Sequence, residues 1–297
     1  MKKFSVIIPV YNNPEELVMT LQALMNQSIP MNDLEVLVVD DGSTIDMRAV
    51  IEQFADEICI RYFFQEDAGF RPGAARNMGI CAAEGELCVF MDGGVIPVSN
   101  CLEEHYYLYQ QHGEKTVILG YIYGCDKTSD LEEMRRIIDS NTPDNAARMM
   151  DEAHMLDGRE EYWGKLGDDM SRWTAPWIAL WGGHFSVPTK FLRDNGVLFD
   201  EHFTTWGGED NEFGIQMELA EANFIVGRSA KAIHYPAKAR SYDKLQKNKD
   251  FRENQMKNKA YIGKKYPDNK IVQCWVEKGT HFVNQVSREG IKARQEV

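Results

Sequence analysis

The chain has 297 residues, 43% of them hydrophobic and 27% charged, with a net charge of −13. Those proportions exclude a disordered or low-complexity chain, and the length allows one large α/β domain or one domain with an appendage. No apolar run approaches the roughly 20 residues that cross a bilayer, and the apolar part of MKKFSVIIPVYNNP is too short for a secretory signal, so a cytoplasmic location is expected.

Charge is spread unevenly. Residues 231–297 hold 16 Lys and Arg against 7 Asp and Glu, which leaves 17 against 39 in residues 1–230. An acidic body argues against nucleic acid as a partner. The basic end reads either as solvated helix surface or as a peripheral contact with an anionic membrane face or with donor phosphates. The six cysteines, at 59, 81, 88, 101, 125 and 274, lack metal-type spacing and read as free thiols.

In chain order, FSVIIPVY at 4–11 is a continuous apolar, β-branched run stopped by Pro9 and the turn pair Asn12-Asn13, the pattern of a buried parallel strand. PEELVMTLQALMNQ, with Pro14 and two acids in its first turn, predicts a helix. LEVLVVDDGST is a second buried strand closing on Asp40 and Asp41. A helix over 46–57, a short strand ICIRYFFQ and the loop EDAGFRPG are expected next. AARNMGICAAEG then reads as helix and ELCVFMDGG as another buried strand, with Asp92 at its carboxyl end.

The alternation predicts an α/β, Rossmann-like, mainly parallel central sheet flanked by helices. Ligands of such sheets gather at the carboxyl ends of the strands, where Asp40, Asp41 and Asp92 fall. Residues 126–175 are polar, acidic and helical in tendency, without a catalytic signature. Beyond them WIALWGGHFSVPTKFLRDNG joins a strand to a helix, WGGEDNEFGIQMELAEAN opens a helix, and FIVGRSAKAIHYP is a strand ending at His234. From about 242 the chain is charged and helical. The expected organisation is a domain over 1–241, in two parts meeting at about residue 100, with a helical C-terminal extension over 242–297.

Strand-end carboxylates can accept from a base N–H or a ribose hydroxyl, although Asp-Gly-Ser is also ordinary turn chemistry. Taken together, IIPVYN and DDGS resemble family 2 glycosyltransferases of the GT-A fold. The resemblance implies that Pro9, Val10 and Tyr11 line the nucleobase of a UDP-sugar donor and that Asp40 or Asp41 contacts its uridine. DAGFRPGAARNMGI is similar to the Arg-Asn-x-Gly stretch of such enzymes. Arg71 and Arg76 are guanidinium forks suited to phosphate oxygens, though either also suits a surface salt bridge.

MDGG stands where the metal-binding Asp-x-Asp of this fold belongs: Asp92 matches the first acid, Gly93 follows, and Gly94 replaces the second. Mn²⁺ or Mg²⁺ can still be held by one or two protein ligands with phosphate oxygens and water. Relatives of the chondroitin-polymerase type imply His234 as a further ligand, while a histidine beside Tyr-Pro is otherwise a packing residue.

Trp-Gly-Gly-Glu-Asp at 206–210 resembles the chondroitin-polymerase and galactosyltransferase groups. It implies that Trp206 and Gly208 help to bind the acceptor, with Asp210 as general base and Glu209 touching acceptor or donor sugar. Neighbouring carboxylates raise each other's proton affinity, which suits a base near neutral pH. WGGHF at 181–185 is a second such stretch, giving Trp181 and Gly183 as acceptor-side residues or as a tight turn. The resemblance implies a nucleotide-binding half at about 1–100 and an acceptor-binding half at about 101–241, and the implied activity is sugar transfer from a UDP-sugar to a hydroxyl of a glycan or peptide side chain, with inversion. Gly94 leaves a second reading open, a non-catalytic nucleotide-sugar-binding subunit.

Overall fold

The computed structural model describes residues 2–124, 130–236 and 249–284. Its first half alternates β1 (Phe4–Val10), α1 (Pro14–Met25), β2 (Leu34–Asp40), α2 (Arg48–Ile51), β3 (Ile60–Phe64), α3 (Pro72–Ala82) and β4 (Leu87–Met91). Every residue of β1, β2 and β4 is buried, as their largely apolar runs require; of the polar exceptions, Ser5 and Glu35 bond to each other at 2.6 Å. The helix expected over 46–57 shrinks to the single turn α2. Residues beyond it continue as turns, mostly with i→i+3 hydrogen bonds; α2 buries Val50 and Ile51, and the turns bury Phe54 and Ile58.

The second half adds β5 (Val95–Pro97), α4 (Cys101–His112), β6 (Thr116–Tyr123), α5 (Leu131–Asp139), α6 (Pro143–Glu152), α7 (Glu160–Leu166), β7 (His184–Pro188), α8 (Thr189–Asp194), α9 (Glu209–Leu219) and β8 (Asn223–His234). Helices α10 (Lys249–Lys265), α11 (Lys270–Lys278) and α12 (Thr280–Val283) follow. The boundary expected at 241/242 lies outside the described residues.

The eight strands form one sheet in the order β3-β2-β1-β4-β7-β6-β8-β5. β3, β2, β1 and β4 run parallel. β7 is antiparallel to β4 and β6, β8 is parallel to β6, and β5 returns antiparallel along β8. The chain winds outward from β1 to β3 and comes back to β4 on the other side of β1. That reversal opens a crevice at the carboxyl ends of β1 and β4.

Four phenylalanines lock the elements around this crevice. Phe90 of β4 stacks on Phe185 of β7 at 4.4 Å, Phe199 stacks on Phe213 of α9 at 3.9 Å, and the two pairs meet edge to face at 6.1–6.2 Å. All four are buried, and burial of each contributes roughly 1.5–3 kcal/mol. Asp92 lies two residues beyond Phe90, Gly183 two before Phe185, and Asp210 three before Phe213. One apolar cluster therefore fixes three separate stretches of chain relative to one another.

Candidate active site

The centre of the crevice is Arg76 of α3, only 3% exposed. Its Nη2 donates to Asp92 Oδ1 at 2.7 Å, and its Nη1 stands 3.7 Å from Asp210 Oδ1. Asp92 and Asp210, 118 positions apart in sequence, thus share one guanidinium. Burial alone would weaken the Arg76 cation, but the charges of Asp92, Asp210 and Glu209 outweigh it and hold the proton more tightly.

The loop before β7 makes room for this cluster. Gly182 N donates to Asp210 Oδ2 at 2.8 Å, and a Cβ at Gly182 would stand 2.5 Å from Asp210 Oδ1 and 2.7 Å from Arg76 Nη2. Gly183 O accepts from Asp92 N at 3.2 Å, and a Cβ there would come within 3.4 Å of Asp92 Oδ2. WGG at 181–183 is therefore a close-approach device as well as a turn. Several polar atoms here are buried without a hydrogen-bond partner among the described residues: Arg76 Nε and Nη1, Glu209 Oε2 and Asp210 Oδ1. Orphaned donors and acceptors gathered at one point mark a place where a ligand or water completes the bonding.

The three acids and one amide crowded in WGGEDNEF have different surroundings. Glu209, 6% exposed, has its proton affinity pushed up to about 8 by burial and then by the charge of Asp210. Asp210 is also raised by burial, while Arg76 and the Gly182 amide pull it back toward ionisation. Asn211 Nδ2 donates to Trp177 O at 3.4 Å. Glu212 is fully buried and accepts from Tyr266 Oη at 2.6 Å, with Lys265 Nζ at 2.7 Å. Only tertiary partners let so many carboxyl groups stand together.

At the carboxyl end of β2, Asp40 Oδ1 accepts from Ser43 N at 2.7 Å and Oδ2 from Tyr62 Oη at 2.8 Å, so both oxygens serve the DDGS turn and β3. Asp41 accepts from Gln65 Nε2 at 2.5 Å and Arg71 N at 2.8 Å; burial raises its proton affinity against those bonds. Pro9 and Val10 are buried inside β1. Tyr11, just beyond, is 43% exposed and donates to Asp67 Oδ2 at 3.1 Å. Asn13 Nδ2 donates to Gly93 O at 3.3 Å and ties this loop to the MDGG turn.

The MDGG turn meets β8. Val95 pairs with His234, and Tyr235 N donates to Gly94 O at 2.9 Å, which brings the half-buried His234 to the turn that carries Asp92. Gly94 has φ +102°, and a Cβ there would press on Glu16 at 3.2 Å, so an acidic side chain at this position would be strained. Asp92 keeps 38% of its side chain exposed and gives only its Oδ1 to Arg76 among the described residues. A half-open carboxylate with an imidazole on the neighbouring strand fits a divalent cation whose remaining ligands are water and phosphate oxygens.

Sequence reasoning missed three groups. Asp157 and Arg159, from the acidic middle, form a fully buried pair at 2.7 Å; Arg159 also donates to Gly120 O and Ala179 O and lies over the Trp181 ring at 5.2 Å. That pair anchors the 179–183 loop, and an Asp-x-Arg in a stretch that reads as polar and acidic gave no local sign of it. Cys101, His105 and His184 bring three ligand atoms within 4.8 Å of one another, all buried. One tautomer each satisfies both rings: His184 Nδ1 donates to Tyr121 O at 3.3 Å, His105 Nε2 to His184 Nε2 at 3.0 Å, and Ser186 Oγ to His105 Nδ1 at 2.8 Å. Burial keeps both imidazoles neutral, His184 lowered to about 3, so this cluster reads as core hydrogen bonding. The third group lies on α10, beside Trp206, which is 37% exposed and stacks on Phe251 at 4.7 Å. A cavity of about 390 Å³ lined by Leu108, His112, Met170 and Phe224 sits at the start of β8, the end remote from His234.

Comparison with known proteins agrees with this architecture. The chain belongs to glycosyl transferase family 2, whose model matches residues 5–168, more than half its length. It is 35% identical over 234 residues to validoxylamine A glucosyltransferase of Streptomyces hygroscopicus subsp. jinggangensis, covering 78% of this chain and 55% of that one. It is 30% identical over 241 residues to chondroitin synthase of Escherichia coli, covering 77% and 34%. The chain thus spans about half the length of the first relative and a third of the second. The structure of S. aureus TarS 1–349 in complex with UDP-GlcNAc superposes with a TM-score of 0.64 at 20% identity, covering 97% of this chain and 74% of that one. The fold is that of GT-A glycosyltransferases, as the resemblance implied.

Proposed function

We propose that this protein transfers a sugar from a UDP-sugar to an acceptor hydroxyl on a glycan or peptide side chain, with inversion and with Asp210 as general base. The observation that carries the reading is the Asp92–Arg76–Asp210 bridge, which gathers the acid after β4 and the second acid of WGGED on one buried guanidinium. A UDP-GlcNAc complex of a protein with this fold supports the donor class.

In this reading Asp210 takes the acceptor proton on the oxygen not bound to Gly182, and Arg76 favours its ionised form. Glu209, held protonated near neutral pH, donates a hydrogen bond to a sugar hydroxyl instead of adding a third charge. Tyr11, Asp41 and Arg71 face the nucleotide. Trp181 and Trp206, with Gly183 and Gly208 beside them, line the acceptor side. A divalent cation, Mn²⁺ or Mg²⁺, would be held by Asp92 and His234 and would supply Lewis-acid neutralisation of the diphosphate charge; the same fold is known with Mn²⁺ and GDP-mannose in a Pyrobaculum calidifontis mannosyltransferase.

The test is release of UDP from a panel of UDP-sugars with Mn²⁺, with the anomeric configuration of the product read by NMR. Binding of UDP without release from any donor would favour the non-catalytic subunit. Retention of configuration would remove the inverting assignment. No helix among the described residues is long and apolar enough to cross a membrane. Peripheral contact through the basic C-terminal region rests on its charge, and cosedimentation with anionic vesicles checks it.

A further inference from the structure

The loop that delivers Glu209 and Asp210 has little to hold it in its own sequence. Gly207 and Gly208 both stand at positive φ, +98° and +99°, and Gly208, the N-cap of α9, offers no side-chain cap. Two successive glycines in this region leave the chain many alternatives. Phe203 packs on Gly208, and most of the remaining restraint comes from α10. Phe251, Gln255, Asn258 and Ile262, spaced four, three and four apart, lie on one helical face, and all four meet the loop. Phe251 stacks on Trp206, Gln255 comes within 3.4 Å of where a Gly207 Cβ would stand, and Ile262 within 3.5 Å of the same point at Gly208.

Asn258 makes the specific bonds. Its Nδ2 donates to Gly207 O at 2.7 Å and reaches Thr205 O at 3.3 Å and Thr205 Oγ1 at 3.2 Å. About two turns further, Lys265 Nζ pairs with Glu212 at 2.7 Å and Asp200 at 2.6 Å, which pins the first turn of α9 and the chain before the loop to the same helix. We propose that Asn258 is a positioning residue for sugar transfer, holding the Thr205–Gly208 loop so that Asp210 faces Arg76, and that α10 is a working part of the catalytic unit. This rests on Asp210 as the base.

The test compares Asn258→Asp, which keeps the shape and removes the donors, with Asn258→Gln and with Asp210→Asn, all in the full chain. The probe is UDP release from whichever of UDP-glucose, UDP-galactose, UDP-GlcNAc and UDP-GalNAc turns over fastest. Asn258→Asp should lower kcat about tenfold, the loss expected when buried carbonyls lose their donor, while the Kd for UDP stays within twofold of the parent. Asn258→Gln, with its donors on a longer stem, should recover part of that loss. Hydrogen exchange supplies a readout independent of turnover: the amides of Glu212 and Phe213 should exchange about tenfold faster in Asn258→Asp. Parental kcat and parental exchange in Asn258→Asp, with Asp210→Asn inactive, would overturn the inference alone. An active Asp210→Asn would overturn the base assignment and this inference with it. If Asn258→Asp does not fold, Asn258→Ser, too short to reach Gly207 O, takes its place under the same criteria.

Discussion

Glu209 offers a prediction that needs no knowledge of substrate. Its carboxyl is buried, one oxygen lacks a partner among the described residues, and Asp210 is next to it. These surroundings raise its proton affinity from the ordinary 4.5 to about 8. The folded state therefore binds this proton more tightly than the unfolded chain does. The resulting stabilisation is complete below pH 4.5 and is lost as pH climbs through 8. At about 1.4 kcal/mol for each pH unit between those values, ionising Glu209 in the folded protein costs at most about 5 kcal/mol. Glu209→Gln keeps the size and hydrogen-bonding shape and cannot ionise. Thermal unfolding followed from pH 5 to 9 should show the parent losing stability relative to the variant as pH rises. Each kcal/mol corresponds to about 2–4 °C in Tm for a chain of this size. A Tm difference that stays constant from pH 5 to 9, or that moves in the parent's favour at high pH, would refute the reasoning.

Asp210→Asn should remove most turnover while leaving UDP affinity nearly intact; equal activity takes Asp210 out of the base role. Asp92→Ala should abolish the Mn²⁺-dependent part of UDP binding, so an unchanged calorimetric titration contradicts the cation assignment. His234→Ala should raise the Mn²⁺ concentration needed for half-maximal UDP release, and the absence of a shift returns it to packing. Gly182→Ala should cut kcat at least tenfold with little change in Tm, since the added methyl meets Asp210 and Arg76 at 2.5–2.7 Å rather than the apolar core; parental kcat would show that the two side chains move aside freely.

The strands and most helices were legible because their cause is local. Unbroken apolar runs such as FSVIIPVY and LEVLVVD can only be buried strands or short core helices, and the Asp, Asn and Gly residues that follow stop them. The stretch at 46–57 kept only the single helical turn α2, because the residues after it close i→i+3 turns that still bury Phe54. DDGS, MDGG and WGGED marked the strand and helix ends where ligands gather. What each polar residue in them does was not local. Both oxygens of Asp40 are spent on its own turn and Tyr62, whereas Arg76, equally suited on paper to phosphate, stands between two carboxylates.

Sequence by itself determined the α/β class, the strand ends that carry the acids and the family likeness, since apolar periodicity and contiguous motifs are written within a few residues. Tertiary structure alone decided which charges neutralise which. Arg76 meets Asp210 across 134 positions, and Glu212 meets Lys265 across 53. Such pairings depend on how the Phe90–Phe185–Phe199–Phe213 cluster and α10 fold the chain back on itself. Spacing along a sequence carries no record of that distance in space, so the same acids read alone show only their number and not their partners.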